Sequence, residues 1–296
     1  MSSYCGPSIE DLKSCILDLN QPISKRTHSA FFLRTMGTPE AADVIATALK
    51  NREDSSLMRH ELAYILGQMQ HLSVAGVLLS ILPDESEDIL VRHESAEALG
   101  ALGSPDFLEI LQEYSSHSAP EIAETCQIAV DLINWKRNSQ GVKSSSTYMS
   151  VDPAPPMSET SAVDELKSIL VDTSRSLFDR YRAMFSLRDT NTDEAALALI
   201  EGFTDTSALF RHEVAYVLGQ MQRPCTINGL VKVLRNMDEH EMVRHEAAEA
   251  LGAIGNEECK EVLTCYEHDN ATVVKESCVV ALDNADYWAE YSTEAS

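Results

Sequence analysis

Aromatic residues are scarce in this 296-residue chain, with 7 Phe and 2 Trp, and glycine occupies only 12 positions. Runs such as Glu121-Ile122-Ala123-Glu124 and Asp193-Glu194-Ala195-Ala196 favour helix over strand, so the expected fold class is all-α. The seven cysteines, Cys5, Cys15, Cys126, Cys225, Cys259, Cys265 and Cys278, form no CxxC and no spacing suited to a zinc site. They read as free thiols of a reducing compartment. No apolar run approaches the roughly 18 residues needed to span a bilayer, and Met1-Ser2-Ser3-Tyr4 lacks the charged-then-apolar order of a secretory leader. A soluble, cytoplasmic protein with no membrane association is expected. Positive charge is also deficient: 23 Lys and Arg face 47 Asp and Glu, a net charge of −24. A field of that sign repels phosphate backbones, which argues against nucleic acid, and draws in cationic partners.

What the chain has in abundance is self-similarity. Residues 209–222 copy residues 57–70 almost residue for residue, and residues 243–255 copy 91–103, both at an offset of 152. Within each half a shorter step of 33 carries Arg59-His60-Glu61 to Arg92-His93-Glu94, and Arg211-His212-Glu213 to Arg244-His245-Glu246. The apolar residues Leu62, Ile65, Leu66 and Met69 recur at helical spacing and give one buried face. A pair of such helices cannot bury its stripes alone, so neighbouring repeats must stack around a shared core, as in a HEAT-like array. The Trp-Leu-Gly-Tyr and Thr-Pro-Leu-His signatures of tetratricopeptide and ankyrin repeats are missing. Weaker copies at about 24–50 and 176–202, with further helical segments at about 8–19, 119–137, 161–171 and 270–290, give about eight helices per half. Pro39 and Pro105 are placed to open second helices, where a missing amide proton costs nothing. The Leu-Gly pairs at 66–67, 99–100, 218–219 and 251–252 put glycine in helices, which implies close approach of a neighbouring backbone. The domain reading is an N-terminal array at 1–137, a linker at 138–160 and a C-terminal array at 161–296. Ser144-Ser145-Ser146 and Pro153-Ala154-Pro155-Pro156 suggest a flexible connection that lets the arrays fold around a common groove.

The four His-Glu pairs carry the chemical signal. Adjacent residues of a helix point about 100° apart, so His60 and Glu61 can flank one face while Leu62 and Leu66 enter the core. One such pair would be an ordinary solvated face. Here it recurs at the same height on neighbouring helices, which pack about 8–10 Å apart, and the side chains can converge on an ion through bonds of about 2 Å. Four imidazoles and four carboxylates can hold two metals, each with two His and one Glu, leaving two carboxylates over. Two His and one carboxylate with open positions is the ligand set of non-haem iron oxygenases. With thiolates absent from the set, copper–thiolate and iron–sulfur chemistry are disfavoured. The Glu-x-x-His pattern of ferritin-like bundles, a His-Glu-x-x-His helix and a Gly-x-Gly-x-x-Gly loop are all missing. His28, His71, His117, His240 and His268 fit no repeated constellation and are expected at the surface. Glu97 and Glu249 read as helix-face charges, with support of the metal ligands as the alternative.

In their Arg-His-Glu-x-Ala-x-x-Leu-Gly contexts, two per half, the four pairs resemble the deoxyhypusine hydroxylase family of HEAT-repeat enzymes, across both halves and excluding mainly the linker. The resemblance implies O₂-dependent hydroxylation of the deoxyhypusine side chain on the precursor of translation initiation factor 5A, at a centre of two iron ions restored to Fe²⁺ by an external reductant. It assigns His60, His93 and Glu94 to one iron and His212, His245 and Glu246 to the other, and gives Glu61 and Glu213 the substrate. An acidic groove suits the ammonium at the end of that long side chain. A monomer is expected. The competing readings are a metal-free scaffold that binds a basic protein, a di-metal hydrolase using the same ligands to activate water, and, more distantly, a phycobilin lyase.

Overall fold

Serine, aspartate and histidine side chains start five of the inner helices of this molecule, and residues in the left-handed conformation stop those five. In the computed structural model, which describes residues 6–139, 146, 148–157 and 162–294, there are sixteen α-helices and no strand. Met1 to Tyr4, Cys5, Ser144 and Ser145 lie outside the described residues. The first half comprises α1 (Ile9–Leu17), α2 (Ile23–Met36), α3 (Pro39–Leu49), α4 (Ser56–Met69), α5 (Ala75–Ile81), α6 (Ile89–Leu102), α7 (Leu108–Tyr114) and α8 (Pro120–Asn138). The second comprises α9 (Val163–Val171), α10 (Leu177–Thr190), α11 (Asp193–Ile200), α12 (Ala208–Met221), α13 (Ile227–Arg235), α14 (Glu241–Ile254), α15 (Glu257–Thr264) and α16 (Thr272–Glu294). Ser55, Asp88, Ser207 and His240 accept from the free amides of the first turns of α4, α6, α12 and α14. Gly103 (φ 72) and Gly255 (φ 64) end α6 and α14 where a side chain would be strained. Pro39 opens α3, and Pro105 opens a 3₁₀ turn that runs into α7.

The even-numbered helices form an inner layer and the odd-numbered ones back it. The inner helices can approach closely because glycine meets alanine at each crossing. A methyl built on Gly67 would lie 2.9 Å from Ala98 Cα, on Gly219 3.1 Å from Ala250 Cα, and on Gly252 2.8 Å from Ala281 Cα. Those separations fall below the roughly 3.5–4.0 Å of a comfortable carbon–carbon contact, so a side chain at Gly67 or Gly252 would force the helices apart, while Gly219 is tight by a few tenths of an ångström.

One arginine per repeat ties the layers together. Arg26, Arg59, Arg92, Arg180 and Arg244 each donate Nε to the carbonyl ten residues earlier, at the end of the preceding outer helix. Arg26, Arg59, Arg180, Arg211 and Arg244 also pair with Asp54, Glu87, Asp205, Glu239 and Asp269, respectively. This separates two functions that the Arg-His-Glu triplet mixes. The arginine recurs in α2 and α10, which lack His-Glu, so it belongs to the repeat architecture and makes buried ion pairs. The His-Glu pairs are confined to α4, α6, α12 and α14.

The array closes on itself. α8 packs on α10 and α12, while α16 packs on α2 and α4, so the inner helices surround a central space. One core cluster follows the first half and another the second. The stretch read from its composition as a flexible connection is seated over its described part: Ala154 is fully buried and Asp152 pairs with Arg188. Side-chain-to-backbone bonds hold it, and these leave no helical period in sequence. The six described cysteines are free. No helix among the described residues is long and apolar enough to cross a membrane.

Candidate metal centre

Each His-Glu pair sits in the second turn of an inner helix, and ring closure turns all four pairs toward one point. The imidazoles of His93 and His245 are fully buried, those of His60 and His212 nearly so, and Glu61, Glu94, Glu213 and Glu246 are all at most 9% exposed. Ring centroids lie 5.4 Å apart for His60 and His93, and 5.4 Å for His212 and His245. Across the halves the separations are similar: 5.3 Å for His60 and His245, 5.5 Å for His93 and His212, and 6.0 Å for His60 and His212. There is one four-imidazole cluster, with two acids built in symmetrically. His60 Nε2 lies 3.2 Å from Glu94 Oε2, and His212 Nε2 lies 3.2 Å from Glu246 Oε2.

Three groups have candidate ligand atoms all within 4.8 Å of one another: His212, His245 and Glu246; His60, His93 and His212; and His93, Glu94 and Glu97. The second of the two triplets implied by the resemblance therefore converges as a unit. The members of the first are divided between two groups, one of which borrows His212 and the other Glu97. Glu61 and Glu213 face the same cavity.

The unsatisfied atoms supply the test of fit. Both ring nitrogens of His93 and of His212, Nε2 of His60 and of His245, and Oε1 of Glu213 are buried without a well-directed hydrogen bond. Each such atom costs about 1–3 kcal/mol in a folded interior, and so many in one place are explained by a cation that takes up their lone pairs. Burial holds His93 and His245 well below the ordinary imidazole value and pushes His212 down to about 3, so these rings are neutral and ligation-competent. At His60 burial acts in the same direction, but the carboxylates of Glu61 and Glu94 beside it outweigh it and raise the value. Burial raises Glu213 well above the carboxylate range and lifts Glu246 to about 8. The residues present fit a bound metal ion.

Four side chains one helical turn further on form a second tier, of which the sequence reading gave Glu97 and Glu249 only as an alternative and did not single out Tyr64 and Tyr216. Glu97 and Glu249 do not stand as solvated helix-face charges; they line the cavity, and burial raises both well above the ordinary range. Glu249 Oε1 lies 3.3 Å from His245 Nδ1 and accepts from Ser277 Oγ at 2.9 Å, which orients the ring and leaves Nε2 for the centre. In the same slot of the preceding repeats stand Tyr64 and Tyr216, whose hydroxyls meet at 2.9 Å across the two halves. The available signal was recurrence: these four residues sit four positions after the four histidines. His28 also departs from its surface expectation, since its Nε2 meets Asn284 Oδ1 at 2.6 Å in the seam between α2 and α16.

The HEAT-repeat family matches residues 47–130 and 196–283. The chain is 49% identical to the deoxyhypusine hydroxylase of Drosophila melanogaster over 279 residues, covering 94% of this chain and 92% of that protein. It is 47% identical to that of Homo sapiens, over 93% and 90% of the two chains. The chain belongs to the deoxyhypusine hydroxylase family. The solved structure of human deoxyhypusine hydroxylase in complex with glycerol superposes with a TM-score of 0.91 at 46% identity, covering 94% of this chain and 96% of that one. The ring fold of a deoxyhypusine hydroxylase thus holds, in this chain, a cavity of about 450 Å³ onto which His60 and His212 of the imidazole cluster open. Six glutamates line it, Glu61, Glu94, Glu97, Glu213, Glu246 and Glu249, against one arginine, Arg34.

Proposed function

We propose that this chain hydroxylates the deoxyhypusine side chain on the precursor of translation initiation factor 5A, using O₂. Two iron ions are held by His60, His93 and Glu94 and by His212, His245 and Glu246, and Glu61 and Glu213 take the substrate. The observation that carries this reading is the buried four-imidazole cluster with its unpaired nitrogens, inside an acidic cavity, in a chain of this family. When bound, the iron pair supplies O₂ activation, with the electrons coming from an external reductant. One oxygen atom enters the side chain and the other leaves as water.

The protein's own residues account for selection and positioning. The substrate ends in an amine on a long aliphatic chain, so the carboxylates of Glu61 and Glu213 hold the ammonium by charge-assisted hydrogen bonds while the apolar wall accepts the methylenes. Glu249, fixed by Ser277, keeps the His245 ring in one tautomer. The ring of helices buries the four imidazoles and the carboxylates beside them, which strengthens the charge contacts among them. Because the two halves cover each other's open ends, a monomer is sufficient.

The decisive experiment combines metal analysis with mass spectrometry of the deoxyhypusine-bearing factor after incubation with reductant and O₂. Iron in the purified protein and a gain equal to one oxygen atom are expected. An iron-loaded protein that leaves the factor's mass unchanged refutes the reading, and turnover without O₂ would instead favour a hydrolase.

A further inference from the structure

The duplication creates two equivalent approaches to the centre, one over each half. On one side Glu249, Gly252, Val280, Ala281 and Asn284 line the cavity of about 450 Å³. At the offset of 152 their counterparts are Glu97, Gly100, Ile128, Ala129 and Leu132, and there only a void of about 10 Å³ remains, with Pro153 as an added wall. The two linings differ little in volume, Val for Ile and Asn for Leu, so the helices themselves do not explain the contrast.

The difference lies in what covers them. The connection between the halves is laid over the second approach by contacts that recur along its described length. Val151 donates its N–H to Gln68 Oε1 at 2.8 Å and accepts from Gln68 Nε2 at 3.1 Å, a backbone grip of the kind an extended peptide receives. The Asp152 carboxylate takes both arms of Arg188 at 2.9 and 2.7 Å. Ala154 is fully buried, and Met157 N–H donates to Ser186 Oγ at 2.8 Å. In α2 the residue matching Arg188 is Arg34, each standing two turns beyond the clamp arginine of its helix. Arg34 lines the open cavity. Among the described residues it has no carboxylate partner, only the faces of Phe31 and Tyr64 at 6.0 and 5.7 Å.

We propose that the connection is a fixed plug that makes the centre one-sided. The protein substrate's cationic side chain reaches the metal ligands only by the α2–α16 approach, and its flanking segment lies there as residues 150–154 lie on the α8–α10 side. This inference rests on the functional reading above for the identity of the substrate. The plug is held by the half-buried Gln68 and a fully buried Arg188, so it does not exchange with substrate. Its leading residues, Tyr148 and Ser150, also line the open cavity and so shape its far wall.

The test uses the full chain with one cysteine added at each approach, Ala253→Cys at the exposed rim of the open one and Leu132→Cys under the plug, with alkylation by N-ethylmaleimide read site by site in peptides. Ala253→Cys should label at least about tenfold faster than Leu132→Cys, since thiol reactivity follows access. A bulky maleimide at Ala253→Cys should raise KM for the deoxyhypusine-bearing factor while iron content is unchanged. Hydrogen exchange on the unmodified chain removes any dependence on the folding of Leu132→Cys. Adding the factor should protect α2 and the Val280–Asn284 turn of α16, with no change at residues 152–157. Equal labelling at the two sites, unimpaired turnover after modification of Ala253→Cys, or new protection over 152–157 would overturn the plug. If the unmodified chain gives no product at all, the functional reading fails, and the labelling contrast still judges whether one approach is closed.

Discussion

Replacing Gly252 by alanine adds one methyl where α14 crosses α16, and the structure fixes how badly it fits. The new carbon would lie 2.5 Å from Ala281 Cβ, 2.8 Å from Ala281 Cα and 3.1 Å from Ala281 O. Two of those three atoms are backbone, so no side-chain rotation relieves the overlap, and the helices must part by about 1 Å to reach a normal contact. Overpacking of this kind costs about 1–3 kcal/mol, and parting the helices loosens the contacts along the rest of the crossing. Against this, alanine is favoured over glycine within a helix by about 1 kcal/mol. Sterics should win, leaving a net loss of about 1 kcal/mol. Gly219→Ala, at 3.1 Å from Ala250 Cα, demands a few tenths of an ångström and should come out near neutral. Gly76→Ala in α5, with nothing within 4 Å, isolates the helix preference and should stabilise by about 0.5–1 kcal/mol. Urea denaturation followed by circular dichroism ranks the three. The reasoning is wrong if Gly252→Ala is as stable as Gly76→Ala. Because α14 also carries His245 and Glu246, Gly252→Ala should in addition retain iron less well than Gly76→Ala.

Three other outcomes are expected. Glu249→Ala removes the acceptor that orients His245 and should weaken iron binding by about tenfold or more in competition with a chelator, with the fold unchanged by circular dichroism. Glu213→Gln should raise KM for the protein substrate by about tenfold to a hundredfold, the worth of one charged hydrogen bond, while iron content stays at the wild-type level; a loss of iron instead would make Glu213 a ligand. At Asp269 burial pulls the carboxyl up, but the Arg244 hydrogen bond and charge win and hold it below its ordinary value. A depressed native value means that its stabilisation is present above the unfolded carboxylate value of about 3.9 and is lost as pH falls through the lower native one. Denaturant titrations across that acidic range should therefore fall less steeply for Asp269→Asn than for the wild type, which should be the more stable at neutral pH.

Much of this was legible in the chain because repetition is a one-dimensional signal. The offset of 152 and the step of 33 appear in sequence as repeats and in space as stacked helices, and the Leu-Gly pairs reported the close crossings that Ala98 and Ala250 now account for. The selectivity of His-Glu for four of the six arginine-bearing repeats marked chemistry apart from architecture. A helical period gives the face on which a residue lies, but not what that face meets. Glu97 and Glu249 occupy positions that are solvated on an open array, and only the closure of α8 on α10 and α16 on α2 turns them inward. The grouping of His60 and His93 with His212 was beyond reach for the same reason: it depends on the separation of two halves that no spacing within either half encodes. Residues 150–157 gave the least away, because a segment held by Gln68, Arg188 and Ser186 through its backbone and a single carboxylate needs neither apolar period nor helix former. Sequence alone thus determined the repeats, their helices and the identity of the eight central side chains, all local or periodic properties. Tertiary structure alone decided which of them face one another, how many ways lead in and which is closed, since those follow from bringing distant copies of the same helices around one centre.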